Sequence, residues 1–359
     1  MHILILSNLV SYTYNFRKEV IDTLLEKGHK ITVVCDNDSP AMADYFSSRC
    51  SFISVPFNGK GKNPLQELSL IRTYRRIIKE VKPDAVLSYT IKMNLYGGLC
   101  LRGSGIKWIP MITGLGELEK EGRLRTILMF LHRLVMPHAS CIFFQNEDNL
   151  KFFKDNNIKF KKARVLPGSG INLQKFTFRE YPKDKNTVFA FVGRLTEAKG
   201  IEQFLDAAEA LSSSSVSFVA AGKCDNEYLE RVKTLTSEVK LKYLGMVDNS
   251  IEVISSCSCL VLPTWHPEGM SNVLLEACAT GRPAICTDRT GCREIIKNGV
   301  NGLYCREKDS GDLIERMKEF IALPLEKKKQ MGLEGRQTVE RNFDRKIIVK
   351  AYLEELDVH

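Results

Sequence analysis

Short apolar runs alternate with stretches of helical periodicity along this chain of 359 residues. Residues 2–6 and 31–35 are early examples of such runs. Continuous apolar runs are typical of strands that are buried on both faces of a parallel sheet, and parallel strands need crossover connections. The pattern therefore predicts an α/β protein, built from open parallel sheets with helices on both faces.

The alternation occurs in two halves, and a chain of this length is expected to form two domains. In the first half, strands are predicted at 2–6, 31–35, 51–55, 84–89, 107–112 and 140–144. Helices are predicted there at 16–27, 64–80, 94–102, 122–136 and 146–155, with a loop at 7–15. The charged segment 175–186 has no periodicity and is interpreted as a linker.

The second half repeats the pattern after the linker. Strands are predicted at 187–192, 215–221, 240–244, 258–262, 283–287 and 302–305. The helices that end the chain are predicted at 310–321, 326–341 and 344–356. Open parallel sheets bind ligands at the carboxyl ends of their strands, so candidate site residues are expected in the loops that follow those strands.

The composition is that of an ordinary globular protein, with 44% hydrophobic residues and a net charge of +9. A basic protein of this kind can meet a phosphorylated substrate, an anionic membrane surface or nucleic acid. Nucleic acid is disfavoured, because the basic residues are spread along predicted helices without interleaved aromatic residues. We therefore expect no nucleic-acid partner.

Cysteines and histidines give no sign of a metal site. The 11 cysteines form no C-x-x-C pair, and the 6 histidines are dispersed without the spacing of metal ligands. Cysteines within apolar runs are typical of buried thiols in a reducing compartment. No apolar run is long enough to span a membrane, and the chain enters a strand at once. We expect a cytoplasmic protein without a signal peptide, and no requirement for a metal or cofactor.

The stretch 263–283 carries the densest set of candidate site residues. A strand is expected before it and a helix over 271–280, and Gly269 allows a tight turn between them. The first N–H groups of a helix have no partner inside it, so an anion fits there. Glu268 on the turn and Glu276 in the helix can both face the end of the sheet. By itself, the pattern is also compatible with an ordinary strand–turn–helix unit whose glutamates are solvated.

A second stretch follows the predicted strand 187–192. That strand ends in Gly-Arg-Leu at 193–195, and Lys-Gly at 199–200 opens the next helix. The guanidinium of Arg194 can bind phosphate oxygens as a fork, and the ammonium of Lys199 can bind them as a point charge. Two cations at one strand end and a helix N-terminus at another predict a binding site for a diphosphate.

Together, these two stretches resemble the retaining glycosyltransferases of family 4. The family pattern is Val-Gly-Arg-Leu, then Lys-Gly, then Glu-x7-Glu, and its parts occur here in the same order. The resemblance implies the GT-B fold, with two facing Rossmann-like parallel-sheet domains and an interdomain cleft. It also implies an acceptor-binding domain at 1–170, a nucleotide-sugar-binding domain at 171–343, and a last helix at 344–359 that packs back on the first domain.

The same resemblance assigns roles in the second domain. Arg194 and Lys199 would hold the diphosphate and stabilise the leaving nucleotide, and Glu268 would contact the transferred sugar. Glu276 would accept hydrogen bonds from the ribose, and main-chain groups at Gly245 would contact the base. The catalytic candidates are therefore Arg194, Lys199 and Glu268. The donor-binding candidates are Gly193, Gly245, Met246, Gly269, Met270, Ser271, Asn272 and Glu276.

The first domain departs from the commonest family pattern. Many members have paired glycines in the first loop and a histidine in the cleft, whereas segments 10–17 and 111–117 contain neither. The chain instead resembles a subgroup that adds sugars to polyprenyl-diphosphate-linked saccharides in bacterial glycan assembly. The motifs shared with it are Asn15-Phe-Arg17, Lys92-x-Asn94, Gly114-Leu-Gly116 and Gly291-Cys292-Arg293-Glu294. The acceptor-side candidates are Asn15, Arg17, Lys92, Thr113 and Glu117.

The implied reaction is transfer of a hexosyl or N-acetylhexosaminyl group from a nucleotide-sugar, expected to be a UDP-sugar, to a lipid-linked saccharide. No carboxylate of the first domain stands out as a covalent nucleophile, which favours a front-face mechanism. The alternatives are a GT-B epimerase, which would need the absent histidine, a phosphorylase, which would need a longer chain, and a binding module without turnover. The sequence does not choose the donor sugar, the base, the linkage or the oligomeric state.

The predicted helix at 123–136 is apolar on most of its circumference, with arginines near both ends. Two interpretations remain open: a crossover helix buried in the domain, and an interfacial helix that places side chains such as Phe130 and Leu131 among lipids. The lipid-linked acceptor and the net positive charge favour the second interpretation. It predicts peripheral association with the inner face of the cytoplasmic membrane.

Overall fold

The computed structural model describes residues 1–57, 63–183, 186–247, 249–266 and 269–357. Internal contacts divide the chain into two compact units. The first unit comprises Met1–Ser169 together with Arg345–His359, and the second comprises Gly170–Asp344. The C-terminal segment therefore belongs to the same unit as the start of the chain.

Each unit contains one parallel sheet. The strands of the first are β1 (His2–Leu9), β2 (Lys30–Asp36), β3 (Ser51–Ser54), β4 (Ala85–Tyr89), β5 (Lys107–Ile112), β6 (Ile142–Phe144) and β7 (Ala163–Val165). Those of the second are β8 (Thr187–Val192), β9 (Val216–Ala221), β10 (Lys242–Tyr243), β11 (Cys259–Leu262), β12 (Ala284–Thr287) and β13 (Gly302–Cys305). The strand orders are β3-β2-β1-β4-β5-β6-β7 and β10-β9-β8-β11-β12-β13. Both orders reverse direction beside the first strand of the unit, which is where ligands of such sheets bind.

Helices connect the strands. In chain order they are α1 (Val10–Glu26), α2 (Pro40–Ser47), α3 (Pro64–Val81), α4 (Ile91–Leu101), α5 (Arg123–Val135), α6 (Glu147–Asp155), α7 (Ile201–Leu211), α8 (Asn226–Ser237), α9 (Ser250–Ser256), α10 (Asn272–Ala279), α11 (Ser310–Ala322), α12 (Leu325–Asn342) and α13 (Arg345–Glu355). The strands and helices expected from the apolar pattern are present, and the open parallel sheets are confirmed. The sequence did not predict α2, α8, α9 or the edge strand β7.

The loop predicted at 7–15 is wrong. Strand β1 continues to Leu9, which still pairs with Asp36 of β2, and helix α1 begins at Val10. Val10 and Thr13 are buried, so their spacing continues the core-facing side of the helix towards its N-terminus. Ser11, Tyr12 and Asn15 have weak helix propensities, but burial of this face outweighs them.

Helix α13 completes the core of the first unit. Its Tyr352 is fully buried and meets the ring of Phe143 edge-on, with 4.8 Å between ring centroids. Arg345, at the start of the helix, forms an ion pair with Glu19 of α1 at 2.8 Å. Aromatic packing and this half-buried pair fix the C-terminal helix on the sheet of the first unit.

The segment interpreted as a linker is anchored to the second unit by Arg282. This guanidinium is 1% exposed and donates to the carbonyl oxygens of Arg179 at 3.0 Å, Glu180 at 2.7 Å and Ser255 at 2.7 Å. Tyr181 is also buried, and its hydroxyl donates to the Ser258 carbonyl at 3.0 Å. Burial lowers the pKa of Arg282 from its ordinary value, yet main-chain oxygens take the place of a carboxylate.

Replacing Arg282 should therefore destabilise the second unit. Arg282→Met keeps an apolar chain of similar length but leaves several buried carbonyls without donors, which should cost about 3 kcal/mol. Urea unfolding followed by circular dichroism measures the change, with Arg341→Met on the exposed face of α12 as the control. Equal midpoints for the two variants would show that the carbonyl contacts of Arg282 do not stabilise the unit.

Candidate active site

Three neighbouring strands of the second unit end in glycines with positive φ angles. These are Gly193 after β8 (146°), Gly222 after β9 (135°) and Gly245 after β10 (63°). The Gly193 N–H donates to the Ala221 carbonyl at 2.9 Å, and the Gly222 N–H donates to the Gly245 carbonyl at 2.7 Å. A β-carbon at Gly222 would lie 1.8 Å from the Gly193 oxygen, so a larger residue cannot replace it without moving the chain.

Space remains open on the other side of this strand edge. A β-carbon at Gly193 or Gly245 would meet no atom within 4 Å. Both glycines are donor-binding candidates, Gly245 through its main-chain groups, and the structure leaves room for a ligand to approach their backbones. Met246, the next donor-binding candidate, is 75% exposed beside them.

The loop after β8 presents the two cationic candidates. Arg194 is exposed, whereas the next residue, Leu195, is fully buried and its N–H donates to the Lys223 carbonyl at 2.8 Å. A 3-10 turn over Glu197–Lys199 then leads into α7. Lys199 is partly exposed at the end of that turn. The buried leucine thus fixes the loop while the arginine side chain stays accessible.

The Ala198 carbonyl joins the two motifs found in the sequence. It accepts hydrogen bonds from the Trp265 N–H at 3.0 Å, the His266 N–H at 2.9 Å and the Thr264 hydroxyl at 3.1 Å. In addition, a β-carbon at Gly200 would lie 2.2 Å from the carbonyl oxygen of Pro263. The loop that carries Arg194 and Lys199 is therefore held directly against the segment that leads into α10.

Trp265 packs against a lysine from a third loop. The ammonium of Lys308, after β13, lies 3.9 Å from the centre of the Trp265 ring. The sequence favours packing over chemistry for this tryptophan, and the cation–π contact is of that kind. Lys308 could not be predicted as its partner, because the two residues are distant in the chain.

The start of α10 is only partly available to an anion. The donor-binding candidate Ser271 precedes the helix, and its N–H donates to the Gly291 carbonyl at 2.9 Å, so this N–H is already engaged within the protein. Met270 is 6% exposed and its side chain belongs to the core. Gly269 is buried and Asn272, the first helical residue, is half-buried. An anion at this terminus would meet the remaining N–H groups of the first turn.

Of the two glutamates of the Glu-x7-Glu motif, one lies within the described residues. Glu268 lies outside the described residues. Glu276 is half-buried in α10, and its carboxylate accepts a hydrogen bond from the Ser250 hydroxyl at 2.8 Å. Ser250 opens α9 and is a positioning contact that the sequence did not indicate, since only the packing of α9 on α10 brings it there.

In the first unit, the candidates of α1 lie within a helix and not on a loop. Arg17 is 4% exposed, and its guanidinium stacks 4.2 Å from the centre of the buried Tyr89 ring. Asn15 is exposed, and its side-chain amide donates to the Ser11 carbonyl at 2.9 Å. Arg17 thus contributes to packing between α1 and the end of β4, whereas Asn15 remains accessible.

The other acceptor-side candidates are engaged or partly covered. Lys92 forms an ion pair with Glu67 at 2.7 Å, and the Tyr96 hydroxyl donates to the same carboxylate. Glu117 accepts a hydrogen bond from Lys120 at 2.7 Å near the surface. Thr113 is half-buried directly after β5. Of the five, Thr113 and Glu117 lie on one loop at the carboxyl edge of the sheet.

Thiols and metal ligands add no further chemistry to the described site. Cys278 of α10 is fully buried, and burial raises its pKa to about 12, so it stays a protonated thiol at neutral pH. Within the ranges that the structure describes, no group of three His, Cys, Asp or Glu side chains could hold a metal ion. Over the same ranges, no helix is long and apolar enough to cross a membrane.

Two family profiles match the chain, one for each half. The profile described as "Glycosyl transferase 4-like" matches residues 2–146, and that described as "Glycosyl transferases group 1" matches residues 174–338. The second match includes both motifs that the Ala198 carbonyl joins.

Curated relatives match most or nearly all of the chain. N,N'-diacetylbacillosaminyl-diphospho-undecaprenol alpha-1,3-N-acetylgalactosaminyltransferase of Campylobacter jejuni is 26% identical over 99% of this chain and 98% of its own length. UDP-Gal:alpha-D-GlcNAc-diphosphoundecaprenol alpha-1,3-galactosyltransferase of Escherichia coli is 24% identical over 80% of this chain and 79% of its own.

Solved structures share the fold. HepE from Anabaena, in complex with UDP, superposes with a TM-score of 0.80 at 17% identity, over 99% of this chain and 100% of that one. WaaG, a glycosyltransferase involved in lipopolysaccharide biosynthesis, superposes with a TM-score of 0.75 at 13% identity, over 99% of both chains. Taken with the two sheets and the joined motifs, these matches show that the chain is a GT-B glycosyltransferase that belongs to family 4.

Proposed function

We propose that this protein transfers a hexosyl or N-acetylhexosaminyl group from a UDP-sugar to a saccharide linked to a polyprenyl diphosphate, in bacterial glycan assembly. The Campylobacter and Escherichia relatives are named for transfer to such acceptors, and HepE was solved with UDP. The observation that carries the proposal is the Ala198 carbonyl, which holds the Arg194–Lys199 loop against the segment before α10. This contact brings the loop proposed to bind phosphate and the segment that leads into α10 to one edge of a single sheet.

In the proposed mechanism, Arg194 and Lys199 bind the donor diphosphate and stabilise the negative charge that grows on it as the sugar leaves. Arg194 is exposed at the strand end, so its fork of N–H groups can reach a phosphate from solvent. The attacking hydroxyl of the acceptor gives its proton to the leaving phosphate on the same face of the sugar. Protein groups then supply orientation and charge stabilisation, and no protein carboxylate needs to form a covalent bond with the sugar.

The glutamates have separate roles in this proposal. Glu276, held by Ser250, accepts hydrogen bonds from the ribose hydroxyls of the nucleotide. Glu268 accepts hydrogen bonds from the transferred sugar. The open backbone edge at Gly193 and Gly245 lets the nucleotide approach the main chain closely. Donor binding and sugar positioning thus depend on different carboxylates.

We also propose that the protein works on the inner face of the cytoplasmic membrane through helix α5. Ile127 and Phe130 are 56% and 62% exposed on the outer side of this helix. On its inner side, Met129, His132 and Val135 are buried against the rest of the first unit. Exposed apolar residues on one helical face, flanked by arginines, favour an interfacial position. The helix is therefore buried on one side and carries exposed apolar side chains on the other, so it combines features of the two interpretations drawn from the sequence.

The structure changes which residue of α5 tests this proposal. Leu131 packs against the core of the first unit, so Leu131→Glu would bury a charge and unfold the unit. Arg133 donates to the Asn156 carbonyl at 2.9 Å and Arg125 to the Leu118 carbonyl at 2.9 Å, so both have defined positions at the rim of the exposed face. Phe130 is the side chain whose replacement reports on the surface alone.

The first functional prediction concerns turnover. Arg194→Ala and Lys199→Ala should each lower kcat about 100-fold, because the charge that they stabilise develops mainly in the transition state. The assay is mass spectrometry of product from a panel of UDP-sugars with a polyprenyl-diphosphate-linked saccharide. Lys233→Ala, on the exposed face of α8, is the control. Near-normal kcat in both loop variants would refute the diphosphate assignment, and a wild-type protein that makes neither product nor free sugar would indicate a binding module.

The second prediction separates the glutamates. Glu276→Gln should weaken UDP binding about tenfold by calorimetry, because a charged acceptor of the ribose hydrogen bonds is lost. Glu268→Gln should leave UDP affinity within about twofold and mainly lower turnover, because UDP lacks the sugar. Ser250→Ala should weaken UDP binding less than Glu276→Gln. An equal loss of UDP affinity in both glutamate variants would contradict the division of roles.

The third prediction concerns the membrane. The wild type should pellet with vesicles of anionic phospholipid, and high salt should release only part of it, because salt screens charge but not inserted apolar side chains. Phe130→Glu should remove the salt-resistant part. Val239→Glu makes the same chemical change at an exposed position of the second unit and serves as the control. Salt-resistant binding that survives Phe130→Glu would refute the role of α5, and a wild type that never pellets would refute the membrane proposal.

A further inference from the structure

A groove with an apolar floor and a cationic rim lies on the helical surface of the first unit. It has a volume of about 680 Å³ and runs between α3, the end of α4 and the short turn Met136–His138. We call it the α3–α4 groove. Its floor is formed by Leu68, Ile71 and Leu99, and its rim by Arg75, Arg102 and His138.

The groove is separate from the candidate acceptor residues. Arg102 and Gly103 precede β5, and His138 precedes β6, so the groove lies towards the amino ends of these strands. Thr113 and Glu117, in contrast, follow β5 at the carboxyl edge. A ligand in the groove would therefore be a second molecule and not the reactive saccharide.

The cations of the rim are not neutralised by the protein. Across the described ranges of the chain, neither Arg75 nor Arg102 has a carboxylate within 4.0 Å. Arg76, the next residue of α3, instead lies 3.9 Å from Glu80 and does not line the groove. Two guanidinium groups that line one depression without a carboxylate partner suit a phosphate group, which arginine binds through paired N–H groups.

The apolar floor of the groove indicates which kind of phosphate compound would bind there. Leu68 is 43% exposed, and Ile71 and Leu99 are partly buried beside it. A free phosphate or a sugar phosphate would leave this floor in water, whereas a glycerolipid would cover it with its glycerol and first methylene groups. Helices α3, α4 and α5 lie side by side, so the groove shares a layer with the exposed Phe130.

From this geometry we infer that the α3–α4 groove binds one anionic membrane phospholipid, with its phosphate between Arg75 and Arg102 and its upper acyl segment over Leu68. The inference rests on the membrane location proposed above, to which it adds a discrete lipid site. Such a site would select anionic lipids by paired hydrogen bonds as well as by the overall positive charge of the surface.

The test uses a soluble lipid, so that it does not depend on membrane binding. Dihexanoyl-phosphatidylglycerol below its micelle concentration is titrated into the full-length protein, and binding is followed by calorimetry. The double variant Arg75→Ala/Arg102→Ala should bind about tenfold more weakly, since each lost guanidinium removes phosphate hydrogen bonds. The double variant Arg72→Ala/Arg76→Ala removes the same charge from exposed positions of α3 outside the groove and should change affinity less than about twofold.

Two further experiments test the role of the apolar floor and the class of ligand that the groove binds. Leu68→Ser should weaken binding of the lipid but not of glycerol 3-phosphate, which has no acyl chain. Equal affinity of the wild type for glycerol 3-phosphate and for the lipid would overturn the lipid assignment. Equal weakening by the two arginine double variants would also overturn it, because the attraction would then be diffuse. Circular dichroism of each variant confirms that the fold is retained, and a dimer that Leu68→Ser dissociates would assign the groove to a second copy instead.

The experiments distinguish failure of the lipid site from failure of the proposed membrane location. Lipid binding that depends on Arg75 and Arg102, in a protein that never pellets with vesicles, would support the groove and refute the membrane location. Vesicle binding that depends on Phe130, with soluble-lipid affinity unaltered in the Arg75→Ala/Arg102→Ala variant, would refute the groove alone.

Discussion

The candidate site depends on one carbonyl oxygen. Ala198 lies in the middle of a loop with no regular structure beyond a 3-10 turn, yet its oxygen accepts hydrogen bonds from Thr264, Trp265 and His266. Loops of this kind would otherwise lose substantial conformational entropy on binding a ligand. Here three hydrogen bonds fix the backbone of the loop, so the two cations proposed to bind the diphosphate extend from a defined position. Pre-organisation of this kind favours charge stabilisation in a transition state over simple attraction of an anion.

The outline of the fold follows from the apolar pattern, because strands buried on both faces contain continuous apolar runs, such as residues 3–6 of β1 and 188–192 of β8. The same reasoning failed at 7–15, where burial of Val10 and Thr13 extends α1 over residues whose own preferences suggest a loop. The motif residues could be predicted because each motif lies within a short, contiguous stretch of sequence. Their supports could not, since Ser250 and Lys308 reach Glu276 and Trp265 only through the packing of other elements.

The first unit shows why residue type alone is a weak guide to a binding role. Arg17 and Lys92 are both cations near strand ends, as an acceptor phosphate would require, but one stacks on Tyr89 inside the unit and the other pairs with Glu67. Arg75 and Arg102 belong to no motif, yet both are exposed and neither has a carboxylate within 4.0 Å among the described residues. Partners in the fold, and not charge itself, decide whether a cation is available.

The hydrogen bonds from Arg282 to main-chain carbonyls also affect how readily a protease can cleave the linker region. Arg179 has an exposed side chain of the kind that trypsin recognises, within a charged segment that looks cleavable. Its own N–H, however, donates to the Thr280 carbonyl at 3.2 Å, and its own carbonyl accepts from Arg282 at 3.0 Å. A protease must draw the substrate backbone into an extended strand, which would break both bonds and expose a buried guanidinium. Cleavage after Arg179 is therefore expected to require local unfolding of the second unit, although the side chain itself is exposed.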